Sequence, residues 1–525
     1  MVGRGSRLGG GGFALMCFAV SATAMAQPAD PTPDTASSSA EAPKATAEAP
    51  APPDAAHVRQ RLNEALAPQP GGLRAADVAR RAEMSSPEVR AKQQAVAAAA
   101  AKVDQAAWLF LPRATLLARY VRLSEVASAN LSDRGSILGT DLPAGQPVPV
   151  VCPMGPGSTP DQCYVRAQGV ELSFPILLNM WTLQGTLAIP LSDYVLRLSQ
   201  NHASATNSKR AAETQEKAAR VKTQLDAKTA YFNWIRAQGG LLVAEAGLAT
   251  AGAHLKDVRV AFQVGSASRA DVLAVESQVA STEMLVENSK NMTTLTEEQL
   301  RVMMHDPERT QYRIGENIDA PVADEPASTT LNALFAEAMR QRLERRVIDE
   351  TVASLRETRK VLSASNYPRL DAFGNLYHQN PNTRVFPQQE KWSTTWDVGV
   401  QLSWTINDTF TTGAQVQELD AKILEIESQR AQLDDGIRLQ VTQAYNAFRQ
   451  AQVGKETTER QLVAAEESYR VRRELFRAGR ATSSELTDAE TALVKAGFDG
   501  LNARIDLRLA RENLDHALGR DAVRP

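Results

Sequence analysis

The chain has 525 residues, 43% of them hydrophobic and 23% charged, with 58 basic against 61 acidic side chains. So even a balance leaves no electrostatic footprint for nucleic acid, which is excluded as the expected partner. Beyond the N-terminus no run of 18 or more apolar residues occurs, so no membrane-spanning helix is expected, although barrel strands would escape such a test.

The first 26 residues have the form of a secretory signal: Arg4 and Arg7, an apolar run through FALMCFAV, and the small-x-small site Ala24-Met25-Ala26. Cys17 follows the bulky Met16, which favours ordinary cleavage after Ala26 over a lipid anchor. Residues 27–57 then hold seven prolines in 31 positions and no aromatic side chain. Such a composition cannot offset its ordering entropy, and a disordered Pro/Ala-rich leader is expected over residues 27–71.

The first helix opens at MSSPEV, where Ser86 can cap, Pro87 fits the first helical position and Glu88 suits the positive end. It runs to Leu111-Pro112-Arg113, where a first strand is expected. Cys152 and Cys163 lie beyond it in VCPMGPGSTPDQCYV, inside a long 121–180 loop. In an exported chain they favour an intraloop disulfide over free thiols. Two cysteines without a nearby histidine at ligand spacing make no metal site.

A strand follows at WTLQGTLAIPL, with Trp181, Leu183 and Leu187 on one face. Its fuller twin is WSTTWDVGVQLSWTI, residues 392–406. There Trp392, Trp396, Val398, Val400, Leu402, Trp404 and Ile406 alternate with polar residues or glycine, broken only by Thr394. Period-two alternation marks a strand with one apolar and one wet face. Beyond the second strand, Val416, Leu419, Ile423, Ile426, Ile437, Val441, Ala444, Phe448 and Ala451 form a helical seam with coiled-coil spacing. A helix over residues 415–475 would be a rod of about 90 Å.

Each long helix ends at Phe-x-x-Gly: Phe262 to Gly265, and Phe476 to Gly479. Ser268-x-x-Asp271 and Thr482-x-x-Glu485 then offer capping boxes. Two tight helical hairpins are expected there, with Asp271 and Glu485 serving first as caps. Asp488, one turn further on, is the freer carboxylate.

The pieces come twice. FQVGSASRADVL at Phe262 returns as FRAGRATSSELT at Phe476, 214 residues later, and an offset of 215 carries Trp181 onto Trp396 and Leu187 onto Leu402. Leu111-Pro112-Arg113 returns as Tyr367-Pro368-Arg369. Two tandem halves are expected, residues 72–320 and 321–525, the first carrying the cysteine loop as an insertion.

This ordered, duplicated set resembles the TolC-like outer-membrane efflux proteins, over about residues 72–520. The resemblance implies a mainly α homotrimer with a membrane β-barrel. Each subunit would give four strands to one twelve-stranded barrel and its coiled-coil helices to a periplasmic cylinder. It implies an outer-membrane exit duct of a tripartite efflux or secretion system (type I secretion included), served by a periplasmic adaptor and an inner-membrane pump. Trp181, Leu183, Leu187, Trp392, Trp396, Val398, Leu402 and Trp404 would then face lipid, and the 121–180 loop would project outside the cell. Glu485, Asp488 and Asp271 would stand at the periplasmic aperture, and Gly265, Ser266, Gly479 and Arg480 would meet the adaptor. Two positions depart from the family pattern: Phe476, where some relatives carry a tyrosine that helps hold the closed state, and Ala274, where a second acid would fall. The competing reading is a coiled-coil stalk or surface adhesin, which leaves the two strand pairs unexplained. No P-loop, nucleophile constellation or metal cluster is visible, and His57, His202, His254, His305, His378 and His516 share no spacing. An enzyme is therefore not expected, nor a cofactor.

Overall fold

A computed structural model describes residues 63–125, 177–307, 311–325 and 330–523, together with the backbone of strands 147–151 and 162–166. The signal segment, most of the leader, and Cys17 and Cys152 lie outside the described residues, so the disulfide does too.

The same series of elements occurs twice along the chain. It begins with α1 (Ala75–Ser85), α2 (Pro87–Trp108), β1 (Arg113–Arg122), the hairpin β2 (Pro147–Val151) and β3 (Gln162–Arg166), and β4 (Asn179–Ile189). Then come the long α3 (Ser199–Gln263) and α4 (Arg269–Met304). The second series is α5 (Leu331–Gln341), α6 (Leu343–Ser363), β5 (Arg369–Asn380), β6 (Ser393–Ser403), α7 (Ile406–Arg477) and α8 (Ser483–Leu518). Ser86 caps α2 as its sequence position requires, its Oγ accepting the Val89 amide at 3.3 Å. α5 is capped in the same way by Thr330, whose Oγ1 accepts the Ala333 amide at 3.3 Å, whereas α1 has no side-chain cap at Arg74.

The seam on α7 is real: Ile423, Ile437, Val441 and Phe448 are buried along one stripe. At 72 residues, α7 is about 108 Å long. It begins at Ile406, before the expected start, with Thr405 in extended conformation as its N-cap residue. Strand β6 is correspondingly shorter than the alternation. Trp392 and Trp404 flank it instead of lying within it, because the last apolar positions of the pattern are taken up by the turn into the helix.

β1, β4, β5 and β6 make one antiparallel sheet in that order. β1 pairs with β4 from Arg113↔Ala188 to Arg122↔Asn179, and β5 pairs with β6 from Arg369↔Ser403 to Gln379↔Ser393. β4 and β5 join the two pairs, Trp181↔Asn380 to Ile189↔Ala372. The helices beneath pack into a core where α3 supplies Tyr231, Phe232, Trp234 and Ile235 against α1, α4 and α8. Leu66, assigned to the leader by composition, is buried in that core. Leu73 next to it forms a parallel bridge to Ile314. A second core joins Leu334 and Ala338 of α5 to Ile437, Val441 and Phe448 of α7 and Leu514 of α8.

The halves meet where α3 crosses α8, and the approach is too close for side chains at some points. A Cβ on Gly239 would lie 2.7 Å from a Leu501 methyl, and one on Gly247 2.9 Å from Val494. Lys228 of α3 also pairs with Glu512 of α8 at 2.7 Å.

Tyr231 ties the chain's entry to this core, its buried hydroxyl donating to the Leu73 carbonyl at 2.5 Å. Burial pushes that phenol well above its ordinary range. Since Leu73 O also accepts the Gly315 amide at 2.8 Å, removing the hydroxyl leaves no orphaned acceptor. Tyr231→Phe should therefore cost only about 1 kcal/mol, read as a small drop in the thermal unfolding midpoint. A loss several times larger would show that the hydroxyl organises more than this one bond.

Candidate functional site: helical tips and a bare sheet face

Two regions concentrate the residues singled out by the sequence. The first is the pair of helical tips. Gly265 and Gly479 adopt φ of +78° and +68°, left-handed values that glycine reaches without a Cβ penalty. The amides that follow close the helices in the same way: Ser266 N to Ala261 O at 2.8 Å, and Arg480 N to Leu475 O at 2.8 Å. Both expected capping boxes are present. Asp271 Oδ2 accepts the Ser268 amide at 2.8 Å and the Ser268 hydroxyl at 2.7 Å. Those bonds, the hydroxyl's first, hold its pKa below the usual carboxylate range. Glu485 Oε2 accepts the Thr482 amide at 3.0 Å, while Oε1 meets Arg472 of α7 at 3.0 Å. The Thr482 amide and then Arg472 lower its pKa likewise. Asp488 is exposed and, among the described residues, makes no hydrogen bond or ion pair. The acids thus divide: Asp271 and Glu485 are engaged locally, and Asp488 has both oxygens available.

Phe476 sits between the tips. It packs on the Val258–Val272–Val275 cluster of the first hairpin and on the Leu462–Tyr469–Leu486 cluster of the second. Arg477 reaches Asp257 across the same gap at 3.1 Å. The tips are therefore joined by apolar contact and an ion pair.

Beside Phe476 lies a polar group that sequence reasoning missed. His254 of α3 is 2% exposed and Glu490 of α8 is 4% exposed. His254 Nδ1 lies 3.0 Å from Glu490 Oε2, and its Nε2 lies 3.3 Å from the buried Ser483 hydroxyl. Phe476 stands edge-on to the imidazole, centroids 5.5 Å apart. Glu490 Oε1 has no partner among the described residues. Burial pushes the Glu490 carboxyl up, against the pull of His254 and Arg473. The only warning in the sequence was the repeat itself: His254, Ser483 and Glu490 lie within a few turns of the two tip glycines.

The second region is the sheet. Trp396 is 71% exposed and Val398 76%; Trp181, Leu183, Leu187, Trp392, Leu402 and Trp404 are exposed as well. The opposite face is laced with hydrogen bonds. Thr186 donates to Asn375 Oδ1 at 2.8 Å, Asn375 donates to Asp397 Oδ1 at 2.8 Å, and Arg384 pairs with Asp397. β4, β5 and β6 thus carry a hydrogen-bonded polar side and a bare apolar side. Trp181 and Tyr120 pack together, centroids 4.4 Å apart, and Trp392 stacks on His378 at 4.8 Å. Both pairs sit at the end of the sheet away from the long helices. No helix among the described residues is long and apolar enough to cross a membrane. No group of three or more His, Cys, Asp or Glu side chains among them could hold a metal ion.

Sheet and helical hairpins together define a class, the TolC-like channel fold. Three solved structures share it. The outer-membrane channel OprN superposes with a TM-score of 0.66 at 16% identity, over 87% of this chain and 95% of its own. The Campylobacter jejuni outer membrane channel CmeC gives 0.66 at 13%, over 85% of each chain. The Vibrio cholerae outer membrane protein VceC gives 0.64 at 15%, over 85% and 96%. Residues 338–520, most of the second series of elements, match the family model described as outer membrane efflux protein. No match by sequence was found among curated proteins. Family model and fold agree, and the chain resembles the TolC-like outer-membrane efflux proteins as its sequence implied.

The buried pair gives a pH prediction. A carboxyl raised above its unfolded pKa stabilises the fold at low pH and loses that contribution as pH rises through the folded value. Glu490→Gln, which keeps a neutral side chain of the same shape, should gain on the wild type in unfolding midpoint between pH 5 and pH 8. Glu490→Ala should lose about 2–4 kcal/mol by stranding His254. A Gln variant that tracks the wild type at both pH values would mean that Glu490 stays ionised throughout.

Proposed function

We propose that this chain is the outer-membrane exit duct of a tripartite efflux or secretion system, conducting passively what an inner-membrane pump delivers through a periplasmic adaptor. The observation that carries the reading is the sheet. Its apolar face is bare, its polar face carries a hydrogen-bond network, and both edges, β1 and β6, are unpaired among the described residues. A hydrocarbon environment tolerates no open strand edge, so such a sheet must close on others like itself. Three copies give the twelve-stranded barrel of the family, with each subunit's two tandem halves contributing two strands. α3, α4, α7 and α8 then line a cylinder reaching across the periplasm. The exposed Trp and Tyr side chains at the outer end would serve as interfacial anchors.

At the far end, Gly265, Ser266, Gly479 and Arg480 are exposed on adjacent tips and offer the adaptor its docking points. Asp488 would form a ring of three acids at the aperture, with Glu485 and Asp271 behind it in capping boxes. Because Phe476 has no hydroxyl, closure here relies on its packing and on the Arg477–Asp257 pair.

Two measurements test the reading. Purified protein in a planar bilayer should conduct, with a small conductance that rises in Glu485→Ala plus Asp488→Ala. Folded trimers that never conduct, even in that variant, would remove the duct. Separately, Val398→Lys puts a charge on the lipid side, where the penalty at the membrane midplane is about 2–4 kcal/mol per chain. It should deplete the protein from the outer-membrane fraction while Thr395→Lys, on the wet face, does not; equal loss in both would return the apolar face to a soluble role.

A further inference from the structure

The polar face of the sheet carries an excess of positive charge that the duct reading leaves unused. We propose that the barrel's interior is a cationic passage and that this duct favours organic anions among its substrates. The inference rests on the duct reading above.

Strand parity and register fix which side chains share the inner face. On β1 they are Arg113, Thr115, Leu117, Arg119 and Val121, because Thr115 stands opposite Thr186 and Arg119 opposite Thr182. Both partners belong to the hydrogen-bonded side, where Thr186 meets Asn375 and Thr182 accepts from Gln379. Tyr120, which packs on Trp181, marks the other side of the strand. On β5 and β6 the inner positions include Arg369, Asp371, Phe373, Tyr377 and Asp397. Arg384, from the β5–β6 loop, folds onto this same face, bonded to the Trp396 carbonyl at 3.0 Å and lying 5.1 Å above the Tyr377 ring.

The acids of this face are already engaged. Asp397 is held by Arg384 and Asn375, and Asp371 accepts from Arg369 at 2.9 Å. Arg113 and Arg119 make no hydrogen bond or ion pair among the described residues. Asp193, from the turn after β4, also stands 3.6 Å from Arg369, but Arg197 pairs with it at 3.8 Å. Among the described residues, Arg113 and Arg119 thus leave an excess of two positive charges per chain and six per trimer. Arg113 and Arg119 are six residues apart, about 20 Å along the strand, so the excess spans much of the barrel's height.

Closure does not cancel it. The strand that meets β1 in a closed barrel is β6 of the next copy. Its inner side offers Ser393, Thr395, Asp397, Gln401 and Ser403, a single acid that is already bound. Tyr377 places aromatic surface beside the Arg384 guanidinium, and Phe373 adds a second ring to the same face. A narrow, low-dielectric passage lined with one sign of charge concentrates ions of the opposite sign, and rings beside arginines suit an apolar body carrying a carboxylate or sulfonate.

The test is the reversal potential of the purified trimer in a planar bilayer under a potassium chloride gradient. Arg113→Gln plus Arg119→Gln changes two exposed side chains on an otherwise intact strand, and should lower the chloride-to-potassium permeability ratio severalfold. Arg122→Gln, on the outward side of the same strand, should leave the ratio alone. In proteoliposomes the double variant should likewise slow a sulfonated dye while sparing a cationic dye of equal size. An unchanged ratio in the double variant, or an equal change in Arg122→Gln, would overturn the cationic passage while leaving the duct intact. Folded trimers without conductance would sink the duct itself.

Discussion

The unpaired backbone of two strand edges governs this molecule. β1 and β6 each present a row of amides and carbonyls that no other part of the described chain covers. In water such edges invite uncontrolled pairing, and in hydrocarbon each unmet group costs several kcal/mol. The bare face of Trp396, Val398, Val400 and Leu402 suits an apolar surrounding better than water. A sheet that suits lipid on one side and cannot leave its edges open there has only closure left. Four strands are too few to close alone, because about eight already leave an interior just wide enough for side chains. In the proposed duct, oligomerisation would follow from the sheet's chemistry as well as from the likeness to relatives.

The helices answer a different constraint. A hairpin of two helices has only a narrow seam to bury, and α3 and α7 are long enough that most of their length lies far from the main cores. The protein holds them by stations: an aromatic cluster around Tyr231 and Trp234, a second around Phe448, and apolar patches at the tips that Phe476 bridges. Between stations α3 and α8 approach through glycines 239, 247 and 497. The buried His254–Glu490 contact lies beside Phe476, between the apolar patches of the two tips. One carboxylate oxygen there is unmatched, a cost borne at a point where the two halves must register against each other. Removing either partner harms the site more than the pair's net worth would suggest, since the survivor stays buried.

Period and punctuation were the legible parts. Alternation over residues 392–406 betrayed β6, the 3.5-residue seam betrayed α7, and Phe-x-x-Gly followed by Ser/Thr-x-x-acid located both tips. Each is a local rule that the chain obeys within a few residues. Element ends were less readable. Trp404 and Ile406 continue the strand's alternation, yet Ile406 opens a helix, because two apolar residues satisfy either period. Leu66 shows the same limit in another form: its neighbours are rich in Ala, Pro and Gly, and only the fold reveals the core it enters. The His254–Ser483–Glu490 group was invisible because its members are 229 and 236 residues apart and obey no motif. The arginine surplus needed the register, which decides whether Arg119 or Arg122 looks inward.

The register also bears on how the two halves relate. The repeat aligns Trp181 with Trp396, but in the sheet Leu376 lies opposite both Gly185 and Trp396. Residues equivalent by sequence are thus displaced by four positions across two strand steps, or two per step. If the halves are pseudo-symmetric in a barrel, equivalent residues share one height along its axis, and the displacement measures strand tilt. Two residues of about 3.3 Å against a spacing of about 4.8 Å give a tilt of roughly 54°, steeper than the 35–45° usual for barrels. Steep tilt widens a barrel for a given number of strands. A twelve-stranded sheet built on this stagger would keep an open lumen, whereas a flat sheet of two unstaggered copies would have no reason to displace Trp181 from Trp396 at all.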